Sequence, residues 1–252
     1  MKEALYKINK KFKVFLNLQK RKMARASVKN TLTLEESFAV PIIINNYNRY
    51  TFLLQLITWL EKNKYSNIII LDNNSTYPKL LEYYKNTKHK VIFLKKNVGY
   101  KALWQSEVFE QFQKGHYVYT DPDVVPNENC PGDVVFKLFN VLEKYNAIEK
   151  CGPALNMDDL PDLYDKKKDV INWENKHWLN KVDTDVYDAP IDTTFALYRP
   201  FAMGEAEVCK AYRLAGNYTF LHLPWYLNTS NLPEEEIYYR NSINKDQSHW
   251  VK

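Results

Sequence analysis

Three short runs of β-branched and aromatic residues each stop at polar side chains, and that repetition most constrains the fold. The first is Phe38-Ala39-Val40-Pro41-Ile42-Ile43-Ile44, closing in Asn45-Asn46-Tyr47-Asn48-Arg49. The second, Asn67-Ile68-Ile69-Ile70-Leu71, closes in Asp72-Asn73-Asn74-Ser75-Thr76, and the third, Tyr117-Val118-Tyr119-Thr120, in Asp121-Pro122-Asp123. Apolar runs with little polar alternation describe strands covered on both faces. Between the first two, Phe52, Leu53, Leu56, Ile57 and Leu60 share one helical face, with Thr51 as its expected cap. Strand, helix, strand in so few residues is a right-handed crossover with a parallel pair. A helix from Pro78 to Asn86, a strand Val91–Leu94, the turn Asn97-Val98-Gly99-Tyr100-Lys101 and a helix over 102–113 complete the expected first half. The carboxyl ends of the strands then share one rim, the edge at which open α/β sheets bind ligands.

The acids at the end of the third run carry the most chemistry. Side chains alternate along extended chain, so Asp121 and Asp123 project to one side while Pro122 stiffens the chain between them. Like charges held that close repel, and a divalent cation with a diphosphate beyond it relieves the repulsion with an oxygen shell suited to Mg or Mn. The plain alternative is a surface turn, because Asp-Pro-Asp also starts loops.

Charge separates two parts of the chain. Residues 1–30 carry ten Lys or Arg and one acid, a net +9 that leaves −4 for the remainder of the formal +5. A mildly acidic body speaks against nucleic-acid binding by that body. In the basic arm, expected over 1–37, Leu5, Ile8, Phe12 and Phe15 would form a narrow apolar helical stripe between lysines. Two uses fit it equally: weak, reversible contact with an anionic membrane, or packing on the protein's own body. Cys130, Cys151 and Cys209 are odd in number and widely spaced, which fits a reducing, cytoplasmic compartment without a disulfide framework. No apolar run approaches the roughly 18 residues of a membrane span, and no signal peptide or internal repeat is evident.

The second half is less patterned. Val134, Val135, Leu138, Phe139 and Leu142 mark an amphipathic helix, while 158–188 is loop-like, acidic and bears Trp173 and Trp178. Ile191–Tyr198 is strand-like with Asp192 at its mouth, and a short apolar strand carries His222 ahead of Trp225 and Tyr226. A helix beginning with acids follows Pro233, as the helix dipole favours.

In order and spacing, the strand ending Asn45-Asn46-Tyr47-Asn48, the strand ending Asp72-Asn73-Asn74-Ser75, the Asn97-Val98-Gly99 turn and Asp121-Pro122-Asp123 resemble the nucleotide-sugar-binding half of GT-A fold glycosyltransferases of the family 2 type. The likeness spans roughly residues 38–130. One motif departs: the family usually reads Asp-Asp-Gly-Ser where Asn73-Asn74 here replace Asp-Gly. The resemblance implies an α/β, Rossmann-like, mostly parallel sheet flanked by helices, following the arm as one catalytic domain over 38–252. Residues 38–126 would bind the donor and 127–252 the acceptor. It further implies a metal-dependent transfer, with Mn2+ or Mg2+, from a nucleotide-diphosphate sugar, commonly a UDP-sugar, to a glycan or other acceptor hydroxyl.

By the same resemblance, Asn45 and Tyr47 meet the nucleoside, Asp72 hydrogen-bonds the base, and Asn97 belongs to the donor-side turn. Asp121 lies near ribose and metal, Asp123 is the direct metal ligand, and a late histidine, here His222, completes the shell. Arg49 and Lys101 are cations for phosphate or simply surface groups. An inverting transfer needs a base for the acceptor hydroxyl, for which Asp192 is the first candidate and Asp188 and Glu205 the next. The plain reading of Asp72 and Asp192 is a backbone cap, and of His222 a core histidine. A sugar nucleotidyltransferase is the rival enzyme, disfavoured because no glycine lies in Asn45–Arg49, and a non-catalytic carbohydrate- or nucleotide-binding protein is the rival from another class.

Overall fold

The structure, a computed structural model, describes residues 16–17, 19–192, 194–204 and 209–243. The arm's apolar stripe and Glu205 lie outside them. In chain order the elements are α1 (Leu34–Ser37), β1 (Ile42–Asn46), α2 (Thr51–Lys62), β2 (Ile68–Asp72), α3 (Pro78–Asn86), β3 (Lys90–Phe93), α4 (Phe109–Phe112), β4 (Tyr117–Thr120), β5 (Val124–Pro126) and α5 (Val134–Lys144). There follow β6 (Lys150–Pro153), α6 (Lys167–Asn175), β7 (Lys181–Asp183), β8 (Val186–Asp188), β9 (Ala196–Tyr198), β10 (Ala211–Leu214), β11 (Phe220–His222) and α7 (Glu234–Ser242).

Nine strands form one mixed sheet in the order β3-β2-β1-β4-β9-β6-β10-β8-β7, and β5 pairs with β11 in a small second sheet. The β3-β2-β1-β4 block is parallel throughout, and β9 enters antiparallel between β4 and β6. This is the helix-flanked α/β architecture expected of a GT-A fold, with its parallel character concentrated in the β3-β2-β1-β4 block. The isoleucine runs explain the layering. Ile42, Ile44, Ile68 and Ile70 face the core beneath α2 and α5, whereas Ile43, Ile69 and Leu71 face a second core with Leu103, Tyr117 and Tyr198. Both faces of one strand are therefore buried, and each such isoleucine contributes about 1.5–3 kcal/mol on burial. That is why the sequence shows runs instead of alternation.

Several expectations need correction. Residues 102–113 are not one helix: only Phe109–Phe112 is helical, after a 3-10 turn at Gly99–Lys101. Ala102 and Leu103 are both buried, and Trp104 turns inward to donate its indole N–H to the Tyr117 hydroxyl at 3.0 Å. That local demand overrides a helical period. The segment 158–188 holds α6 and the β7–β8 hairpin, so it is not a plain loop. The strand read over Ile191–Tyr198 begins only at Ala196, which leaves Asp192 in the preceding loop. Thr51 is the first residue of α2, not its side-chain cap; the cap position is Tyr50, with no side-chain bond of its own.

The described end of the basic segment is fastened to the body. Arg25 donates through Nε to the Pro200 carbonyl at 2.6 Å and forms a bidentate pair with Glu149. Among the described residues, no helix is long and apolar enough to cross a membrane.

Candidate functional site

The parallel block fixes the rim. Asn46 registers with Asp72 across β1 and β2, and Ile44 with Thr120 across β1 and β4, so the groups that follow each strand emerge at one edge. Asp72 is 1% exposed, with the Tyr84 hydroxyl donating to one carboxylate oxygen at 3.0 Å and the Ser75 backbone N–H to the other at 2.9 Å. The cap reading of Asp72 is thus realised in its structure.

The departure from the family's second motif has a physical account. Asn73 donates to the Gly99 carbonyl at 2.9 Å and accepts from the Val98 N–H at 2.9 Å, tying the Asn97–Lys101 turn to the rim. Asn74 has φ +67, the left-handed region where glycine is usual and asparagine is tolerated. Gly99 itself sits at φ +75. Asn97 closes the same turn by accepting from the Gly99 N–H at 2.8 Å, and the Tyr119 hydroxyl donates to the Tyr100 carbonyl at 2.8 Å. Lys101 is half-buried beside the Tyr100 ring. Asn45 points the same way, 3.5 Å from the Gly99 carbonyl, while its own Oδ1 is buried and unbonded.

Beyond β4 the chain brings Asp123 between a guanidinium and an imidazole. Arg49 Nη2 lies 3.9 Å from one carboxylate oxygen, and His222 Nε2 lies 4.0 Å from the other. The imidazole arrives because β11 pairs antiparallel with β5, placing His222 opposite Val124. The Leu223 N–H donating to the Asp123 carbonyl at 2.8 Å fixes the register. Burial holds the His222 pKa below the ordinary histidine value, with Asp123 opposing. Trp225, largely buried, packs against the imidazole at 4.6 Å and fills core, while the Tyr226 hydroxyl donates to Asp159 at 2.6 Å.

A carboxylate and a neutral imidazole facing each other across an unbonded gap suit a borderline divalent ion such as Mn2+. Among the described residues, however, no three His, Cys, Asp or Glu side chains are gathered for a metal. The expected triad therefore contracts to the facing pair Asp123 and His222, with Asp121 half-buried one residue past β4.

Of the two readings of Arg49, the structure removes one. The residue is 4% exposed, so the surface-pair reading is wrong. Its guanidinium donates to the buried Glu236, lies 3.6 Å from the centroid of the Tyr239 ring, and leaves Nε without a partner. Burial pulls its pKa down, but Asp123, Tyr239 and Glu236 outweigh that and hold it above the usual value. Breaking such a buried pair by removing one member typically costs about 3–5 kcal/mol.

Glu236 and Tyr239 belong to α7, which crosses the rim. Tyr47 donates through its hydroxyl to the Ser242 carbonyl at 3.0 Å, and Asn48 Nδ2 to the Ser242 hydroxyl at 2.9 Å. Asn48 also accepts from the Thr76 and Tyr77 N–H groups, sewing the two loops together. Nothing in the sequence marked the contacts to Ser242, which join residues nearly 200 apart. The only signal was a helix opening with three acids.

Asp192 lies elsewhere in character. Its side chain is exposed, and its carbonyl, with that of Ile191, accepts from the buried ammonium of Lys150 at 3.2 and 2.6 Å. Arg213 braces the same loop through the Pro190 carbonyl at 2.8 Å while pairing with buried Glu174 at 2.5 Å. Asp188 is engaged with Lys210 at 3.0 Å.

No family model matches the chain, and no curated protein matches it. Solved structures do. GalNAc-T7 with UDP, GalNAc and Mn2+ aligns over 79% of this chain and 49% of its own at 16% identity and TM-score 0.47. Residues 1–349 of S. aureus TarS align over 73% and 60% at 13% identity and TM-score 0.41. Glucosyl-3-phosphoglycerate synthase from Mycobacterium tuberculosis, with Mn2+ and UDP-glucose, aligns over 83% and 79% at 13% identity and TM-score 0.46. The chain spans about half to three-fifths of the first two of these proteins. No residue role follows from likeness at this level.

Proposed function

We propose that the protein is a metal-dependent glycosyltransferase that moves a sugar from a nucleotide-diphosphate sugar, with UDP as the first candidate nucleotide, to an acceptor hydroxyl with inversion. Its product would belong to a glycan or surface polysaccharide, and its setting would be cytoplasmic. The observation that carries the reading is Asp123 at the parallel-strand rim, with a free imidazole face on one side and a buried guanidinium on the other.

In this reading Asp123 and His222 hold Mn2+ or Mg2+, with Asp121 close by toward the ribose. When bound, that ion stabilises negative charge developing on the departing diphosphate. Arg49 adds a positive charge at the same place, already desolvated by the protein. Asn45 and Tyr47 receive the nucleoside, Asp72 the base, and Asn97 and Lys101 border the diphosphate. Asp192 takes the proton of the attacking hydroxyl, on a loop that Lys150 holds by its carbonyls. The basic arm over 1–37 makes weak, reversible contact with an anionic membrane.

A donor screen tests the reading: a panel of nucleotide sugars with Mn2+, scored by released nucleoside diphosphate and by thermal protection. Turnover of at least one donor is expected, and no turnover with no protection would refute it. One observation favours a second reading, a nucleotide-binding protein without metal-dependent turnover: the described residues gather no three metal ligands. That reading expects nucleotide affinity unchanged by D123A.

A further inference from the structure

The C-terminal helix α7 covers the rim in an unusual manner. Of its nine residues only Glu236 is buried, and its one aliphatic side chain, Ile237, is 49% exposed. A helix docked for stability ordinarily buries an apolar stripe; this one is held by polar and aromatic contacts. Glu235 accepts from the Tyr50 and Thr51 N–H groups at 2.7 and 2.9 Å and from the Thr51 hydroxyl at 2.7 Å, so it occupies the N-terminus of α2. Glu236 occupies the buried guanidinium of Arg49. The Tyr238 hydroxyl bonds Thr76 at 3.0 Å, and its ring meets Tyr77 at 5.0 Å. Every one of these partners lies on the loops that follow β1 and β2, or at the start of α2.

Two further features bear on how α7 is mounted. Upstream, Thr229 is fastened to the 163–165 loop, its N–H and hydroxyl donating to the Leu163 carbonyl at 3.2 and 3.0 Å and its hydroxyl accepting from the Asp165 N–H at 3.2 Å. Between that anchor and α7, Ser230, Asn231 and Pro233 are exposed, which suits a hinge. Second, the Glu236 carboxylate satisfies Arg49 incompletely, for the buried Nε has no acceptor and Nη2 stands 3.9 Å from Asp123. A phosphate group, with more acceptor oxygens than a carboxylate, meets such a fork better.

We propose that α7 is a displaceable latch, with Glu235 and Glu236 standing in the seat of a ligand's diphosphate, so that a diphosphate-bearing ligand and α7 compete for the α2 N-terminus and Arg49. The proposal rests on the nucleotide-diphosphate reading above and adds to it a closed resting state. Ligand affinity is then reduced by the fraction of molecules that are latched. Released, α7 swings about the segment after Thr229 and leaves Arg49 beside Asp123, facing the ligand.

Hydrogen exchange of the full chain, with and without UDP plus Mn2+ and, separately, inorganic pyrophosphate, tests this alongside calorimetric binding. Amides of Tyr238–Ser242 should exchange at least about 5-fold faster on ligand binding. Two variants that leave the buried charges intact, E235Q and Y238F, should each tighten UDP binding by about 3- to 10-fold. Binding of UDP with equal or greater α7 protection, or with unchanged affinity in both variants, would overturn the latch while leaving the nucleotide reading standing. Pyrophosphate that binds and releases α7 where UDP does not would support the latch and refute the nucleotide. Failure of both ligands to bind the native chain and the variants would overturn both.

Discussion

The rim that carries Asp72 and the loop that carries Asp192 border the same sheet, yet their acids are held in opposite ways. Asp72 is the last residue of a short parallel strand, is almost wholly buried, and has both carboxylate oxygens bonded within the protein. Asp192 sits on a loop before an antiparallel strand, its carboxylate exposed and only its backbone fixed by Lys150. The contrast teaches that the first region is preorganised by topology, whereas the second depends on a few long side chains reaching in from β6 and β10.

If that contrast is right, the rim should be the more sensitive to substitution. Asp123→Ala is expected to lower kcat by about 10³-fold on the best donor, because on the proposed reading it removes a metal ligand along with the carboxylate facing Arg49. Steady-state kinetics of a folded variant would check it, and a loss under tenfold would break the assignment. Asp192→Asn should cost about 10²-fold in kcat with KM for the donor unchanged. An effect on donor KM instead would move Asp192 out of the acceptor side.

Much of the rim was legible because burial on both faces leaves a run that cannot be mistaken for alternation: Ile42–Ile44 and Ile68–Ile70 announced β1 and β2, and their polar ends announced the edge. The burial of Arg49 was not legible because no local pattern shows that α7, nearly 190 residues away, closes over it. Trp104 likewise broke the expected helix through a hydroxyl on β4 that sequence spacing does not reveal. The surroundings of Asp192 were illegible for a related reason: Lys150 and Arg213 look like surface cations until the strands that bury them are paired.

The comparison sharpens further with pH. His116, packed edge-on against Phe139 away from the rim, is pushed down to about 4 by burial, with Arg199 and Arg25 adding. Because the unfolded chain binds that proton more readily, stability should fall as pH drops from about 6.5 toward 4, by an amount on the order of 2–3 kcal/mol. Urea unfolding from pH 7.5 to 4 would show it, and His116→Phe should flatten part of the slope. The smallest effect is expected at the rim's own turn: Asn74→Gly, which relieves a left-handed residue, should change stability by no more than about 1 kcal/mol while leaving donor KM intact. A large rise in KM would show that the Asn74 side chain itself meets the ligand.

The central claim is that Asp123 and the imidazole of His222 form one cation site at the end of the parallel block. Titration of Mn2+ into the protein with UDP, followed by the electron paramagnetic resonance of the free ion, addresses it without relying on turnover. One equivalent should be taken up by the native chain, and uptake should weaken by at least about tenfold in both D123A and H222A. Equal uptake by the native chain and both variants would contradict it.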